Sequence, residues 1–463
     1  MAIKIVNGQI PNFDKGTLER ADILIEAGKI VKVGSFEGDT DEMIDAKGRI
    51  VSPGFIDIHM HEETFDAVSG VPYFASVYEL MMGSTTCVAG NCGNNRQSIH
   101  SFVEHVKEHG APVNYMTFLG HNYLRRAVGI EDRYRAATTA EIEKMKALIE
   151  ACIPYGIVGL SYGIEYSPGV DFDEMAELAK GFPNKSYLLS AHFRQDADGA
   201  VDSIEELVRL SRVTGHPMQI SHIGSCSAYG HMKRSLELMA EARAEGLDIL
   251  ADCYPYDAFA TTIGSAVFDE GCFERWQKGY EAILLTESPY ANQFCTKELF
   301  ESVKQTHPNM IVAAFVMNEH EVIEALKDPN VLVGSDSLYK LNQGHPRGAG
   351  TFPRVLGRYV RELGAIPLMD ALRRMTVAPA KRLNLQFKGE IKAGYDADLV
   401  IFDPENITDL ADFEHPTSPP AGIDYVIING EVAVEKGTLE RKNLGTYIPF
   451  ETSEERVSES ILD

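Results

Sequence analysis

Two histidines separated by one residue, His59 and His61, close an apolar segment that starts at Phe55. In a β-strand alternate side chains share a face, so this spacing places the two imidazoles about 7 Å apart on one side of the strand. Imidazole nitrogen is a common zinc ligand, and a catalytic zinc site keeps one coordination position for water. On its own the pair fits a structural role equally well. With further ligands it predicts a metal-dependent hydrolase.

Length and charge limit the classes of protein to consider. The chain has 463 residues, which allows one large α/β barrel of about 250 residues or more together with a smaller domain. It contains 43 basic and 68 acidic residues, which gives a formal net charge of -25. Such a charge repels nucleic-acid phosphates and anionic membrane surfaces. Neither is expected as a partner, whereas a homo-oligomer is compatible with the sequence.

The sequence predicts a cytoplasmic protein. Residues Met1–Gly8 read as a strand and a turn, without the apolar core and cleavage site of a signal peptide. No apolar run has the length needed to cross a bilayer. Seven cysteines, an odd number spread over a long chain, fit a reducing compartment better than a disulfide framework.

Both ends of the chain have the pattern of short strands separated by turns. This pattern covers residues 1–52 and returns over 386–450. The hexapeptide Lys-Gly-Thr-Leu-Glu-Arg occurs in both parts, at Lys15–Arg20 and at Lys436–Arg441. Two similar hairpins at opposite ends predict one small β-sandwich domain built from both termini. The charged residues 451–463 predict a mobile tail.

Between these parts, over residues 53–385, strands alternate with amphipathic helices. This alternation predicts parallel βα units and therefore an α/β fold, for which the length of the chain allows a (β/α)8 TIM barrel. The aromatic-rich segment from about 260 to 309 reads as an insertion, and Ile311–Phe315 belongs either to it or to the barrel. A barrel needs eight strands, and the sequence offers nine candidates: Phe55–His59, Thr85–Ala89, Val113–Leu119, Ile157–Leu160, Tyr187–Ala191, Met218–Ser221, Ile249–Ala251, Ile311–Phe315 and Val331–Gly334.

Candidate ligands follow several of these strands at the point where each strand ends. Catalytic groups of a parallel barrel cluster beyond the carboxyl ends of its strands. A buried cysteine or a single histidine has an ordinary structural explanation, but their joint occurrence at successive strand ends favours a metal site. The predicted ligands are His59, His61, Cys92, His192, His222 and Asp336.

This set of ligands suits two neighbouring zinc ions. His59, His61 and Asp336 can hold one ion while His192 and His222 hold the other. Cys92 is a thiolate ligand and a candidate bridge, and a thiolate favours zinc over magnesium or calcium. Asp336 has a second role as general base and acid, because a carboxylate beside an activated water can accept its proton and pass it to a leaving nitrogen.

Longer motifs carry a family resemblance over nearly the whole chain. The most specific are Pro53–His61, Gly90–Gly93, Tyr166–Gly169, Asp252–Tyr256 and His345–Arg347. With them the chain resembles the amidohydrolase superfamily, and within it the N-acyl-D-amino-acid deacylases, or D-aminoacylases. The resemblance implies a (β/α)8 barrel with a flanking β-sandwich. It also implies zinc-dependent hydrolysis of a small N-acyl amino acid, with a cysteine ligand where sister families use a carboxylated lysine.

The resemblance also implies roles for single residues. A tightly bound zinc ion would lie on Cys92, His192 and His222, and the His59–His61 pair would mark a second, weaker site. Arg347 would anchor the substrate carboxylate, for which a bidentate guanidinium is suited, and Tyr254 would assist it. The chain departs from the family at Ile223-Gly224, where a histidine and a lysine are usual. The machinery therefore looks intact, while the substrate pocket looks altered.

Alternative functions remain at this level. A cyclic amidohydrolase of the dihydroorotase or hydantoinase type normally carries a metal-bridging lysine after the fourth strand, and Gly159–Gly163 offers none. A zinc deaminase would need a glutamate shortly after His222, where the chain reads Ile223-Gly224-Ser225. A deacylase of a related carboxylate-bearing amide or dipeptide stays open. A non-catalytic binding protein is disfavoured because all six ligands are present.

Overall fold

The computed structural model describes residues 2–37, 40–61 and 74–452. Its first part is a group of strands in which isoleucines alternate, so that one face is buried, as at Ile3 and Ile5 of the first strand. The Lys15–Arg20 hexapeptide forms the turn of the first hairpin and the start of its second strand. The strands are β1 (Ala2–Asn12), β2 (Thr17–Glu26), β3 (Lys29–Gly34), β4 (Glu42–Asp45) and β5 (Ile50–Pro53).

The next strands pair in parallel and make up most of a barrel. Their residues are almost all buried, as expected for strands that helices cover on one side. The third barrel strand is interrupted at Phe118, so its first half, β8, pairs with β7 and its second half, β9, pairs with β10. The strands are β6 (Phe55–Asp57), β7 (Ser84–Ala89), β8 (Asn114–Thr117), β9 (Leu119–Gly120), β10 (Gly159–Gly163), β11 (Leu188–His192), β12 (Met218–Ile220) and β13 (Ile249–Cys253).

The insertion is an antiparallel sheet, and it settles which candidate strand lies outside the barrel. Ile311–Ala314 pairs with Phe259–Thr262 and with Ile283–Leu285 in antiparallel register, so Ile311–Phe315 belongs to the insertion. Val331–Val333 pairs in parallel with β13 as the last barrel strand. A parallel bridge between Met60 and Ser337 joins the segments that follow the first and the last barrel strands, and so closes the barrel. The strands are β14 (Phe259–Thr262), β15 (Ile283–Leu285), β16 (Gln293–Phe294), β17 (Ile311–Ala314), β18 (Val331–Val333), β19 (Tyr339–Lys340) and β20 (Gln343–Gly344).

The carboxyl-terminal strands return to the sheet of the amino terminus. They are β21 (Leu399–Phe402), β22 (Ile423–Ile428), β23 (Glu431–Glu435) and β24 (Thr438–Leu439). Strand β21 pairs antiparallel with β5, so both ends of the chain build one sheet in the order β24-β23-β22-β21-β5-β1-β2-β3, with β4 beside β1. The predicted fold class is confirmed: an α/β chain with a (β/α)8 barrel and a β-rich domain from both termini. Of the predicted tail, residues 453–463 lie outside the described part.

Helices surround the barrel, and their ends coincide with capping residues that the sequence displays. A capping box between Thr138 and Glu141 starts α4, and Gly215 ends α6 in the left-handed conformation with φ of 74°. No helix in the described ranges is long and apolar enough to cross a bilayer. The α-helices are α1 (Phe74–Met81), α2 (Ile99–His109), α3 (His121–Ala127), α4 (Thr139–Cys152), α5 (Phe172–Ala179), α6 (Ala200–Thr214), α7 (Ile223–Ser227), α8 (Met232–Ala244), α9 (Cys272–Trp276), α10 (Lys297–Thr306), α11 (Glu319–Lys327), α12 (Arg347–Arg354), α13 (Leu368–Met375) and α14 (Val377–Arg382).

Candidate metal centre

The ends of several barrel strands bring the predicted ligands to one place. The ligand atoms of four buried side chains, His59, Cys92, His222 and Asp336, all lie within 4.8 Å of one another. They come from the chain just beyond β6, β7, β12 and β18. His192, the last residue of β11, adjoins them with its Nδ1 3.0 Å from His222 Nε2. This rim is the one at which catalytic groups of parallel barrels collect.

The thiol of Cys92 lies between two imidazoles. Its Sγ is 3.4 Å from His59 Nε2 and 3.3 Å from His222 Nε2. Asp336 Oδ1 is 3.5 Å from His59 Nε2 and 2.9 Å from His61 Nε2. Around Cys92 and Asp336 the structure therefore gathers all six side chains that the sequence singles out.

Sharp backbone turns direct these side chains inward. Cys92, His222 and Asp336 all have positive φ, at 52°, 33° and 53°. Residues other than glycine rarely adopt this conformation, and such strain clusters at functional sites. The neighbouring chain is packed closely, since a Cβ on Gly163 would lie 2.2 Å from the carbonyl oxygen of Cys92. A glycine at the end of β10 thus permits the position of Cys92.

Two buried carboxylates hold the ligand-bearing segments. Asp57 Oδ1 accepts hydrogen bonds from the backbone N–H groups of His59 and Ser335, both at 3.0 Å. Asp252 Oδ1 accepts from the backbone N–H of His222 at 2.8 Å and lies 3.0 Å from His59 Nδ1. A carboxylate beside the second nitrogen of a ligating imidazole fixes the ring and its tautomer.

The ring contacts of His192 and His222 direct their remaining nitrogens towards each other. His192 Nε2 lies 2.9 Å from Glu165 Oε2, and His222 Nδ1 lies 2.7 Å from Ser225 Oγ, whose hydroxyl donates to the His222 carbonyl. Each of these partners can accept a ring hydrogen, which leaves His192 Nδ1 and His222 Nε2, 3.0 Å apart, as the nitrogens that would bind a metal ion. The donor set therefore fits a metal ion.

Charge in the cluster also favours a cation. Burial raises the pKa of the Cys92 thiol, but the charges of His222 and His59 lower it more, to well below its usual range. Burial raises the pKa of Asp336 as well, whereas Arg347 and His222 hold it well below its usual range. Burial lowers the pKa of His192, yet contacts with Cys92 and Glu165 raise it to about 9. The Cys92 thiolate and the Asp336 carboxylate are thus stabilised by positive charge on the neighbouring imidazoles. A metal ion can supply this positive charge in place of the protons.

The spacing of the ligand atoms agrees with zinc. Tetrahedral nitrogen and sulfur ligands at 2.0–2.3 Å from a zinc ion lie roughly 3.3–3.7 Å from one another. The separations of Cys92 Sγ from its two imidazole nitrogens, 3.4 and 3.3 Å, lie in this range, whereas His192 Nδ1 and His222 Nε2 are slightly closer, at 3.0 Å. The soft thiolate selects zinc over hard cations.

Arg347 and Tyr254 stand beside the cluster. Arg347 is 1% exposed, its Nη2 is 2.9 Å from Asp336 Oδ2, and its guanidinium lies over the Tyr254 ring at 4.7 Å. Arg347 Nη1 and the Tyr254 hydroxyl are buried and have no hydrogen-bond partner among the described residues. Burial raises the pKa of Tyr254 despite the charge of Arg347, so the phenol keeps its hydrogen. Two donors are therefore available to an anion.

Two connected cavities lead to the cluster. The inner cavity is small, with a volume of about 20 Å³, and is lined by His192, His222, Tyr254 and apolar residues of the insertion such as Phe259. The outer cavity, which we call the mouth, is much larger, with a volume of about 800 Å³. Tyr166, Ala260, Thr261 and Asp336 line both cavities. The mouth therefore opens directly onto the candidate metal centre.

Sequence reasoning left out two residues of this site. Glu165 follows the fourth barrel strand by two residues, a position from which a search of strand ends could have found it. Asp252 stands inside β13 within a motif that carried the resemblance, yet its role depends on which backbone groups it meets. His121, by contrast, binds Glu174 at 2.8 Å and lies outside the ligand cluster.

Comparisons with known proteins agree with this geometry. Residues 42–434 match the model of the amidohydrolase family. The chain is 30% identical to the D-aminoacylase of Alcaligenes xylosoxydans xylosoxydans over 93% of each chain. It is also 30% identical to the N-acyl-D-glutamate deacylase of that organism over 90% of each chain, and to its N-acyl-D-aspartate deacylase over 90% and 88%. The chain therefore belongs to the amidohydrolase family, as predicted.

Solved structures give the same relationship. N-acyl-D-glutamate deacylase from Bordetella bronchiseptica, complexed with zinc and a phosphonate mimic of the reaction's tetrahedral intermediate, has a TM-score of 0.86 at 28% identity over 96% of this chain and 99% of its own. A D-aminoacylase structure that addresses its binuclear metal centre, with activation by one metal and attenuation by a second, has a TM-score of 0.85 at 28% identity over the same shares. The D-hydantoinase of Ralstonia pickettii is less similar, at 26% identity over 95% of this chain and 96% of its own.

Proposed function

We propose that this chain is a zinc-dependent deacylase of N-acyl-D-amino acids. The observation that carries the proposal is the convergence of a thiol, imidazoles and Asp336 within 4.8 Å, beside hydrogen-bond donors of Arg347 and Tyr254 that have no partner in the described part of the chain. Cys92, His192 and His222 would hold the tightly bound zinc ion. His59, His61 and Asp336 would form a second, weaker site, with Cys92 next to both. We also infer a cytoplasmic location, because each of the seven cysteines, all of them described, is a thiol.

The catalytic work divides between the metal and the protein. Zinc, when bound, polarises the acyl carbonyl and makes water a stronger acid near neutral pH. Asp336 stays ionised because Arg347 and His222 depress its pKa, so it can accept the proton of the attacking water. Asp336 then donates this proton to the amide nitrogen as the C–N bond breaks. The products are a carboxylic acid and a free D-amino acid.

Arg347 and Tyr254 orient the substrate in this account. The guanidinium of Arg347 keeps one contact with Asp336 and directs its free Nη1 to the substrate carboxylate, while the Tyr254 hydroxyl donates a second hydrogen bond. The usual lysine of the family is replaced by Gly224, where a Cβ would lie 3.0 Å from Cys253 Sγ. The carboxylate therefore depends more heavily on Arg347.

The proposal is tested with zinc-reconstituted protein and a panel of N-acetyl-D-amino acids. Release of free amine is the expected result. Opening of 5-substituted hydantoins or dihydropyrimidines, without amine release from the panel, would instead establish a cyclic amidohydrolase.

Arg347→Lys is expected to lower kcat/KM about a hundredfold. An ammonium cannot make the contacts of Nε and Nη2 with Asp336 and the Ala260 carbonyl and at the same time present a donor to the substrate carboxylate from the position of Nη1. The matched control is Arg354→Lys, because the Arg354 guanidinium also lies over a tyrosine, Tyr256 at 4.6 Å, and also pairs with an aspartate, Asp409 at 3.0 Å. Steady-state kinetics of both variants measure the effect, and an equal loss of kcat/KM in the two would contradict the role of Arg347 as the carboxylate anchor.

Glu165→Gln is expected to weaken zinc binding about tenfold, and Glu165→Ala up to about a hundredfold, as for other outer-shell partners of metal ligands. Glutamine still accepts the His192 hydrogen but lacks the charge that strengthens the ring as a ligand. Competition with a chromophoric chelator measures this affinity without any turnover. Glu206→Gln, a glutamate that pairs with Arg194 at 2.7 Å, is the control. Unchanged zinc affinity in both Glu165 variants would show that Glu165 does not support the metal site.

A further inference from the structure

The three deacylase relatives are equally identical to this chain, at 30% each, so identity does not decide whether its substrate carries a second carboxylate. The two cavities differ in charge, and this difference bears on the question. We propose, on the basis of the deacylase function above, that Arg126, Arg133 and Ser265 form an anion subsite in the mouth. Its ligand is a second carboxylate of the substrate, in addition to the one beside the scissile amide.

Arginines line the mouth although the chain as a whole is strongly acidic. Arg96, Arg125, Arg126 and Arg133 all line it, together with one exposed carboxylate on a loop, Glu131. A cleft lined by one sign of charge focuses the field and concentrates ligands of opposite charge. Among the described residues, the lining of the mouth therefore carries four arginines against two carboxylates, Glu131 and Asp336, on a protein of net charge -25.

The arginines differ in how far their charge is already balanced. Arg125 is buried and donates to both carboxylate oxygens of Glu174, at 2.5 and 2.8 Å, so it is part of the scaffold. Arg126 is exposed, and its Nη1 contacts the uncharged Oδ1 of Asn94 at 3.1 Å. Arg133 is exposed, and its Nη1 contacts the Gly264 carbonyl at 3.4 Å. Among the residues that the structure describes, no carboxylate balances Arg126 or Arg133, and their charges thus remain available to a ligand.

A buried hydroxyl adds an independent indication of a ligand. Ser265 lines the mouth next to Gly264, the residue whose carbonyl Arg133 contacts. Ser265 is 6% exposed, and its Oγ is buried with no hydrogen-bond partner among the described residues. Buried hydroxyls are normally paired. A carboxylate held by Arg133 supplies the acceptor that this hydroxyl needs.

The inner cavity has the opposite character. Glu165 and Asp196 line it, and the described lining includes neither lysine nor arginine. Asp196 is balanced by Arg275, whose Nε donates to it at 2.5 Å, whereas the contact of Arg275 Nη2 with Glu165 Oε1 is long, at 3.7 Å. A second anionic substituent, beyond the carboxylate that Tyr254 and Arg347 bind, is therefore disfavoured there, and the cavity has room for only a small uncharged group. The substrate directs its second carboxylate outward, to the mouth.

Either the amino-acid side chain or the acyl group can carry this outward carboxylate, and two matched substrate pairs distinguish these sources. The first compares N-acetyl-D-glutamate with N-acetyl-D-glutamine. The second compares N-succinyl-D-alanine with the analogue whose outer carboxylate is a carboxamide. We expect the charged member of one pair to have a kcat/KM about tenfold higher, a preference that falls as salt screens exposed charge.

The variants Arg126→Gln and Arg133→Gln are each expected to lower this preference about three- to fivefold, as for partly exposed ion pairs, with the neutral substrates unaffected. Arg212→Gln makes the same charge change at an exposed residue of α6 that pairs with Glu245 at 2.7 Å, and it should leave the preference unchanged. Equal kcat/KM within both substrate pairs would overturn the anion subsite, and so would a preference for the charged substrate that survives both arginine changes. Hydrolysis of the neutral substrates in either case would still support the deacylase function. Hydrolysis of no member would overturn both.

Discussion

Asp336→Asn is expected to lower kcat by about a thousandfold while zinc stays bound. Positioned acid–base catalysis contributes typically 10²–10⁴-fold, and the amide of asparagine cannot take a proton from water at neutral pH. Asparagine keeps the size of the side chain, so packing next to His61 and Arg347 changes little. Single-turnover kinetics and metal analysis of the same preparation provide the measurement.

The matched control for this prediction is Asp409→Asn. Asp409 also pairs with an arginine, Arg354, but lies outside the ligand cluster, so its loss should change kcat by no more than a few fold. If Asp336→Asn retained full activity, the proton-transfer role would be wrong. If it lost zinc together with activity, Asp336 would be a ligand of the essential ion instead.

Cys92→Ser is expected to weaken zinc binding by more than about a hundredfold and to remove activity at trace zinc. Changes to outer-shell partners already cost 10–100-fold, and a neutral hydroxyl replaces a thiolate that lies 3.3–3.4 Å from two imidazole nitrogens. The environment depresses the pKa of Cys92 below its usual range, so the native ligand is the thiolate. Chelator competition and zinc content after dialysis measure the effect.

Cys295→Ser is the control for the loss of a buried sulfur. Cys295 lies in the insertion, is 4% exposed, and burial raises its pKa to about 11, so it is a neutral thiol. Its replacement should leave zinc affinity unchanged. Comparable zinc loss in both cysteine variants would mean that Cys92 acts through folding and not as a ligand.

The ligand-bearing strand ends could be predicted from the sequence for a simple physical reason. Parallel strands of a barrel carry their carboxyl ends to one rim, so Cys92, His192 and His222 can be expected to meet even though they are far apart in the chain. The alternation of strands and helices is a local pattern, and it sufficed to predict parallel βα units, whereas the (β/α)8 barrel was implied by the family resemblance. The β-rich domain from both termini could be predicted because the same pattern of short strands and turns occurs at both ends of the sequence.

Other features depend on tertiary contacts that the sequence does not display. Ile311–Ala314 is a buried apolar strand like those of the barrel, and its antiparallel partners, not its composition, place it in the insertion. Glu165 became part of the site only through its contact with His192. The charge of the mouth depends on which arginine meets a carboxylate: Arg125 does, whereas its neighbour Arg126 meets an amide oxygen.

The rate of amine release from enantiomeric pairs of N-acyl-amino acids, measured at a defined zinc content, tests whether this protein is a zinc-dependent deacylase of D-amino acids. We expect hydrolysis of the D-enantiomers that rises with zinc up to one ion per chain and is abolished by Asp336→Asn. Hydrolysis confined to L-enantiomers, or D-selective hydrolysis that persists after zinc removal, would contradict this function.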